Sequence, residues 1–149
     1  MKLDKKGIDL ILIFEGLKLK PYLCSAGVPT IGYGSTYYEN GTKVKLSDPK
    51  ITKERAIELF KNTIEKYEKA VNELIKVTLT QNQFNALVSF TYKVGISALK
   101  VSTLLKKVNA NPSDETIKNE FEKWVDAGGK QVQGLLNRRK KEVEMYFSK

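Results

Sequence analysis

Three residues near the start of the chain could do chemistry together: a carboxylic acid, a thiol and a hydroxyl. Glu15 closes an almost unbroken apolar run, Cys24 lies nine residues further on, and Thr30 follows six residues after that. A carboxylate at the C-terminal end of a helix faces the negative end of the helix dipole. Apolar neighbours also desolvate it, so both effects favour the protonated form that a general acid requires. The alternatives are a surface glutamate or one neutralised by a buried arginine.

The small number of cysteine and histidine residues excludes several classes of catalysis. The chain of 149 residues has one cysteine and no histidine. One cysteine excludes an intramolecular disulfide, and the lack of histidine excludes Ser-His-Asp and Cys-His catalysis and the usual zinc sites. A lone cysteine such as Cys24 is more often a small buried hydrophobe than a nucleophile, because a free thiol has a pKa of about 8.5 and is mostly protonated at pH 7.

The elements around these residues would have to bring them together. Apolar spacing predicts an amphipathic helix over residues 3–16, with Gly16 as its C-cap. Residues 20–48 are rich in Gly, Tyr, Thr and Val and contain several turn signals, which predicts a small β region. A turn and a short hairpin there would carry Cys24 and Thr30 back over the end of the helix.

Two further signals in this β region concern the backbone. Gly27, Gly32 and Gly34 would let the chain approach a ligand closely, because glycine has no side chain. The pair Asn40-Gly41 lies between two short runs and predicts another hairpin turn.

The rest of the chain predicts helices. Apolar side chains repeat at three and four over residues 52–75, which predicts one long helix joining a small β lobe to a larger helical lobe. Thr80 and Gln83 form a candidate capping box at the start of an apolar helix that ends near Gly95. Further helices are predicted over residues 102–109, 113–127 (ended by Gly128-Gly129) and 134–147.

Length and pattern together predict one α+β domain over residues 1–149. Its small β lobe would occupy about residues 15–50, its linking helix residues 52–75, and its helical lobe residues 80–149 together with the helix 3–16. The longest apolar run is far below the ~18 residues that a membrane span needs. With no signal peptide visible, this indicates a protein folded in a cytoplasm. The net charge of +9 favours a polyanionic partner, or else a solvated basic surface.

The opening stretch also resembles a known active site. The stretch contains the segments FEG, PY, C, G and TIGYG in this order. Its residues Glu15, Cys24 and Thr30 are similar in type and spacing to the active-site residues of the phage-type lysozymes of glycoside hydrolase family 24. The resemblance continues in family order through LTQNQFNALVSF, STLLKKVN, FEKWVDAGGK and GLLNRR, and covers nearly the whole chain. It implies a lysozyme-like fold and cleavage of the bond between N-acetylmuramic acid and N-acetylglucosamine in peptidoglycan.

The resemblance also implies roles for the three residues. Glu15 would be the general acid that protonates the glycosidic oxygen, while Cys24, commonly Asp in this family, and Thr30 would position or activate the attacking water. The family is regarded as inverting, which requires room for water between acid and base. Two alternatives remain open for Cys24: a thiolate acting as base or as nucleophile, the latter giving retention, or a thiol that contributes little beside Thr30.

Other residues are assigned by the same resemblance. Tyr92, Gly32 and Thr103 would bind substrate, although Tyr92 on an apolar helix is equally typical of a core aromatic. Lys93 departs from the family, which often has Asn or Gln there. Arg138 or Arg139 is a candidate partner of Glu15. The implied reaction needs no cofactor and no metal.

The resemblance further implies a monomeric endolysin that waits in the host bacterial cytoplasm and reaches peptidoglycan in the periplasm or cell wall through holin lesions. It implies no stable membrane insertion and no nucleic-acid partner. Two alternatives stay open: a lytic transglycosylase on the same scaffold, and a basic nucleic-acid-binding protein without enzymatic activity. A thiol enzyme of another kind is disfavoured by the lack of histidine.

Overall fold

The computed structural model describes residues 1–127 and 130–149, and this part of the chain folds into seven helices and four short strands. In chain order these are α1 (Lys5–Glu15), β1 (Lys18–Leu23), β2 (Pro29–Gly32), α2 (Lys53–Leu74), α3 (Gln81–Val94), α4 (Ile96–Val101), α5 (Thr103–Ala110), α6 (Ile117–Glu122), β3 (Asp126–Ala127), β4 (Lys130–Gln131) and α7 (Gln133–Phe147). The predicted α+β class is confirmed. None of these helices is both long enough and apolar enough to span a membrane.

The chain divides into two compact units, which we call the hairpin unit (residues 12–66) and the helical unit (residues 1–11 and 67–149). Helices α1 and α2 each run from one unit into the other along the chain. The prediction that residues 1–149 form a single domain stays a prediction.

The hairpin unit is built on the antiparallel pair β1–β2. Its core contains Ile31, Val44 and Leu59, with Tyr38 and Ile51 packed against them. The predicted turn at Asn40-Gly41 is confirmed: the Gly41 N–H donates to the Tyr38 carbonyl at 3.0 Å, and Gly41 has a φ of 85°. The flanking residues pair only through an isolated bridge, not through full strands.

Helix α2 confirms the long helix predicted over residues 52–75. Its apolar side chains recur at three and four, as an amphipathic helix requires, and the buried ones are Ala56, Leu59, Phe60, Ile64, Ala70 and Val71. Thr52 begins the helix, because its hydroxyl accepts the N–H of Arg55 at 3.1 Å and so caps one of the unpaired donors of the first turn.

The core of the helical unit lies around α3, whose residues 84–91 are all buried. The predicted capping box begins this helix: the Gln83 N–H donates to the Thr80 hydroxyl at 3.1 Å, and the Thr80 N–H donates to the Gln83 side chain at 2.9 Å. Around Phe90 the aromatic rings pack edge to face, with Phe121 at 5.5 Å and Trp124 at 5.6 Å between centroids.

Two parts of the helical unit differ from the prediction. The helix predicted over residues 113–127 is only α6, because the Asp114 carboxylate accepts both the N–H and the hydroxyl of Thr116 and closes a separate turn before it. Beyond α6 the chain forms the short pair β3–β4, and the predicted helix end at Gly128-Gly129 lies outside the described residues. Helix α4 was not predicted; it begins after Gly95, whose φ of 97° ends α3.

Candidate active site

The three candidate residues lie at the ends of neighbouring elements in the hairpin unit. Glu15 is the last residue of α1, and Gly16 then reverses the chain with a φ of 69°, a left-handed conformation that favours glycine. Cys24 directly follows β1, and Thr30 is the second residue of β2. The predicted helix, C-cap and hairpin are therefore confirmed in outline, with the helix beginning at residue 5 instead of residue 3.

A tight turn over residues 24–28 surrounds the thiol of Cys24. The Cys24 N–H donates to the Val28 carbonyl at 3.1 Å, and the Gly27 N–H donates to the Cys24 carbonyl at 2.8 Å. Cys24 is a half-buried residue, and hydrogen bonds from the N–H groups of Val28 and Ala26 lower the pKa of its thiol. The hydroxyl of Thr30 and the residue's own N–H lower this pKa too, while partial desolvation opposes them. The turn is thus a backbone nest that favours an anion at position 24.

Thr30 is buried at 3% exposure and contacts both sides of this turn. Its hydroxyl donates to the Val28 carbonyl at 2.8 Å, and it also hydrogen-bonds the Cys24 thiol. Because a hydroxyl has one proton, Thr30 can donate either to the Val28 carbonyl or to a Cys24 thiolate, but not to both at once. While the Thr30 hydroxyl donates to the Val28 carbonyl, its oxygen can still accept a hydrogen bond from the thiol or from water.

Tyr22 is a member of this cluster that the sequence prediction missed. It lies on β1 directly opposite Thr30 in the register of the hairpin. Burial raises the pKa of the Tyr22 phenol, and the negative charges of Cys24 and Glu15 raise that pKa further. Cys24 and Glu15 are therefore both close enough to the Tyr22 phenol to raise its pKa. The alternation of a strand was the signal that could have found it, since Tyr22 is two residues before Cys24.

Gly32 closes β2 in a position that a larger residue would not fit. It is buried, its φ is 68°, and a Cβ atom there would lie 3.2 Å from the Cβ of Ala56 on α2. Because Gly32 has no side chain, strand β2 can approach helix α2 of the same unit closely. A role for Gly32 in binding substrate stays a prediction.

The other two predicted substrate-binding residues belong to the helical unit. Tyr92 on α3 is half-buried and packs edge to face on Tyr67, with 5.0 Å between the ring centroids and 86° between the planes. Thr103 is the exposed first residue of α5, directly after Ser102, whose hydroxyl caps that helix by accepting the Leu105 N–H. Their contact with a saccharide stays a prediction.

Arg138 and Arg139, the candidate partners of Glu15, are both buried on α7 and both form ion pairs with Glu142. Arg138 also donates to the Ser89 carbonyl at 2.9 Å, and Arg139 donates to the Trp124 carbonyl at 3.0 Å. The first contact joins α7 to α3, and the second joins α7 to the segment after α6, all within the helical unit. A pairing of either arginine with Glu15 stays a prediction.

Comparison with known proteins shows the family of this chain. The model of the family described as Phage lysozyme matches residues 13–142, and the chain belongs to the phage lysozyme family. It is 41% identical to the endolysin of Bacillus phage B103 over 153 aligned residues. That alignment takes in 99% of this chain but only 55% of the relative, so the chain spans about half of that endolysin's length.

Two solved structures share the fold over almost the whole chain. The endolysin from Escherichia coli O157:H7 phage FAHEc1 is 43% identical, with a TM-score of 0.88 over 99% of this chain and 94% of that one. A mutant of P22 lysozyme is 35% identical, with a TM-score of 0.87 over 99% of both chains. The lysozyme-like fold that the sequence resemblance implied is confirmed.

Proposed function

We propose that this protein is a peptidoglycan hydrolase that cleaves the β-1,4 bond between N-acetylmuramic acid and N-acetylglucosamine and thereby lyses bacterial cells. Membership of the phage lysozyme family supports this proposal, as do the endolysin and lysozyme names of its relatives. The observation that carries it is the grouping of an acid, a thiol held in a backbone nest, and a hydroxyl on one hairpin and the helix before it. Glycosidases need such a pair, one group giving a proton and one taking a proton.

Glu15 is the general acid in this proposal. It protonates the glycosidic oxygen, so that the bond to the anomeric carbon of the muramic acid residue breaks and the N-acetylglucosamine leaves as an alcohol. Its half-buried position at the C-terminal end of α1 supports the role, because a carboxyl group there is partly withdrawn from water.

Cys24 and Thr30 act on the attacking water. The thiolate of Cys24 accepts one proton of that water, Thr30 holds the water oxygen, and the hydroxide bonds to the anomeric carbon from the face opposite Glu15. This sequence inverts the anomeric configuration. The backbone nest supports it, since the N–H groups of the turn lower the pKa of the Cys24 thiol and so increase the thiolate fraction at a given pH. Direct attack by the sulfur is the alternative, and it would retain the configuration.

The remaining assignments complete the proposal. Tyr92, Gly32 and Thr103 contact the saccharide, and the reaction uses no cofactor or metal. The protein works as a monomer on peptidoglycan, reaches it from the host cytoplasm through holin lesions, and does not insert into the membrane. Its net charge of +9 steers it toward an anionic cell envelope.

The test is a digestion of purified peptidoglycan by the wild type, by Glu15→Gln and by Glu65→Gln. Glu65 is an exposed glutamate of the same unit, so its variant controls for the loss of one charge. Mass spectrometry of the products should find reducing-end N-acetylmuramic acid from the wild type and from Glu65→Gln only.

Two other outcomes would contradict the proposal. Anhydro-muropeptides would identify a lytic transglycosylase on the same scaffold. If the folded wild-type protein cleaves no peptidoglycan, the proposed enzymatic function is wrong. Binding of nucleic acid by the basic surface would then be tested first, by a gel shift with non-specific DNA at rising salt.

A further inference from the structure

We propose that Tyr22 is a positioning residue of this site: its phenol hydroxyl donates a hydrogen bond to the thiolate form of Cys24 and so keeps the sulfur ionised and directed toward the attacking water. The proposed hydrogen bond between phenol and thiolate does not depend on the reaction. Its consequence for catalysis rests on the proposed function.

The hairpin places the phenol beside the sulfur. Tyr22 and Thr30 are direct partners in the β1–β2 register, and partners across an antiparallel pair point to the same face of the sheet with about 5 Å between their Cβ atoms. Thr30 in turn hydrogen-bonds the Cys24 thiol. Since residues two apart on an extended chain also share a face, Cys24 leaves the strand on the side of Tyr22. Both relations put the phenol and the thiol on one side of the hairpin.

The charges around Tyr22 keep its hydroxyl a donor. Its ionisation is opposed by burial and by the negative charges of Cys24 and Glu15, so the phenol remains protonated at neutral pH. Lys18 and Lys20, the two cations of β1, are exposed. A protonated phenol near two potential anions is stabilised when its O–H points at one of them. Of the two, the charge of Cys24 raises the pKa of Tyr22 more than the charge of Glu15 does.

The thiolate can accept a further side-chain donor. Backbone N–H groups of the turn and the Thr30 hydroxyl both lower the pKa of the Cys24 thiol, but that hydroxyl has a single proton and also donates to the Val28 carbonyl at 2.8 Å. To donate fully to the thiolate, Thr30 has to give up its bond to the Val28 carbonyl. The Tyr22 hydroxyl can supply a side-chain donor without breaking a bond of the turn, and a hydrogen bond to a charged acceptor is roughly twice as strong as a neutral one.

The experiment uses the fact that Cys24 is the only thiol in the chain. The rate of alkylation by iodoacetamide is measured against pH on the folded protein, and its midpoint gives the pKa of Cys24 directly. Tyr22→Phe keeps the ring and removes the hydroxyl. It should move the midpoint upward and slow alkylation at pH 7 by about tenfold, the effect of losing one hydrogen bond to a charged group.

Tyr38→Phe is the matched control. It removes a phenol hydroxyl from the same unit, one that donates to Asp48 at 2.7 Å. This variant should lose some stability and leave the alkylation midpoint unchanged. An unchanged midpoint in Tyr22→Phe, or equal shifts in both variants, would overturn the proposal.

A reciprocal measurement needs no change at Tyr22. The negative charge of Cys24 raises the pKa of the phenol, so Cys24→Ala should lower the pKa of Tyr22, which NMR with ¹³Cζ-labelled tyrosine can follow. A Tyr22 titration that is the same in wild type and Cys24→Ala would also overturn the proposal.

Turnover separates this inference from the function on which it partly rests. On purified peptidoglycan, Tyr22→Phe should lower kcat at pH 7 with KM unchanged, and should recover part of the loss at pH 9, where the thiol ionises unaided. A loss of the same size at both pH values would contradict the role in ionisation. An inactive wild type would contradict the proposed function while leaving the alkylation result to decide the phenol–thiolate contact.

Discussion

The hairpin unit and the helical unit each stabilise a charge, but they use different parts of the chain to do it. At Cys24, the N–H groups of Val28 and Ala26 favour an anion on a half-buried sulfur. On α7, two arginines surround Glu142, and all three side chains are at most 2% exposed. The first charge is held by backbone dipoles at an accessible place, and the second by side chains out of reach of solvent.

This difference shows which charge is available for chemistry. The arginine–glutamate cluster fixes α7 against α3, since Ser89 donates to Glu142 at 2.5 Å and accepts from Arg138. Such buried ions add little net stability relative to apolar residues, yet removing one partner is strongly destabilising. Cys24, by contrast, is only half-buried and so partly open to solvent. We therefore expect changes in the helical cluster to alter stability, and changes at the turn to alter activity.

The largest expected effect is on stability, in Glu142→Gln. Removing this carboxylate breaks the buried ion pairs that Glu142 forms with Arg138 and Arg139, which should lower the free energy of unfolding by about 3–5 kcal/mol. Urea denaturation followed by circular dichroism measures it. Glu144→Gln is the control on the same helix, because Glu144 is exposed and its ion pair with Lys141 spans 3.6 Å; its loss should be below about 0.5 kcal/mol. Equal losses in the two variants would show that the buried cluster is not a stability element.

The next effect should appear in activity without a comparable change in stability. Cys24→Ala removes the anion from the nest and should reduce kcat/KM on peptidoglycan about 100-fold, or about 2.7 kcal/mol in transition-state free energy. Cys24→Asp should stay within about tenfold of the wild type, because the same N–H groups can donate hydrogen bonds to a carboxylate. Near-normal turnover by Cys24→Ala would mean that Thr30 and the backbone position the water alone.

A smaller effect is expected where the helical unit begins its central helix. Thr80→Ala removes the hydroxyl that accepts the Gln83 N–H, and should lower the free energy of unfolding by about 1 kcal/mol. Thr78→Ala is the matched control, since Thr78 is exposed in the segment before α3. Thermal denaturation of both variants checks the difference, and activity at 25 °C should be unchanged in each. A Tm for Thr80→Ala equal to that of the control would show that the cap contributes nothing.

The smallest effect is the pH dependence that the turn itself gives to stability. The folded pKa of Cys24 is lowered, whereas in the unfolded chain the thiol titrates near 8.5. The unfolded state therefore binds more protons between these two values, and stability rises with pH there. The contribution is complete above about pH 8.5 and is lost as pH falls through the folded pKa. The difference in unfolding free energy between wild type and Cys24→Ala should follow this curve. A difference that does not change with pH would contradict the nest.

Local sequence signals were enough to predict several structural elements in both units. The capping box at Thr80 and Gln83 and the turn at Asn40-Gly41 are confirmed, since each is fixed by residues a few positions apart. The helix predicted over residues 113–127 was wrong because one side-chain oxygen of Asp114 formed a turn that competes with the first helical turn. The strands β3 and β4 have two residues each, too few to show an alternating pattern.

The candidate site was predictable as far as its residues are close in sequence. Glu15, Cys24 and Thr30 could be named from type and spacing, and the hairpin expected between them is present. Strand alternation could have placed Tyr22 on the same side as Cys24, but its pairing with Thr30 depends on the register of two strands, which the sequence does not show. The hydrogen-bond donors from Ala26 and Val28 are backbone N–H groups, so the residue types in the sequence do not predict them.

The backbone nest also bears on how this site can drift in evolution. Most amino-acid replacements at positions 26 and 28 leave the main-chain N–H in place, so the surroundings of the anion survive changes of side chain. Proline is the exception, because it has no N–H to offer. Position 24 can therefore hold another acidic group, while the side chains at positions 26 and 28 change; Gly27, with a φ of 75°, is constrained by the turn itself.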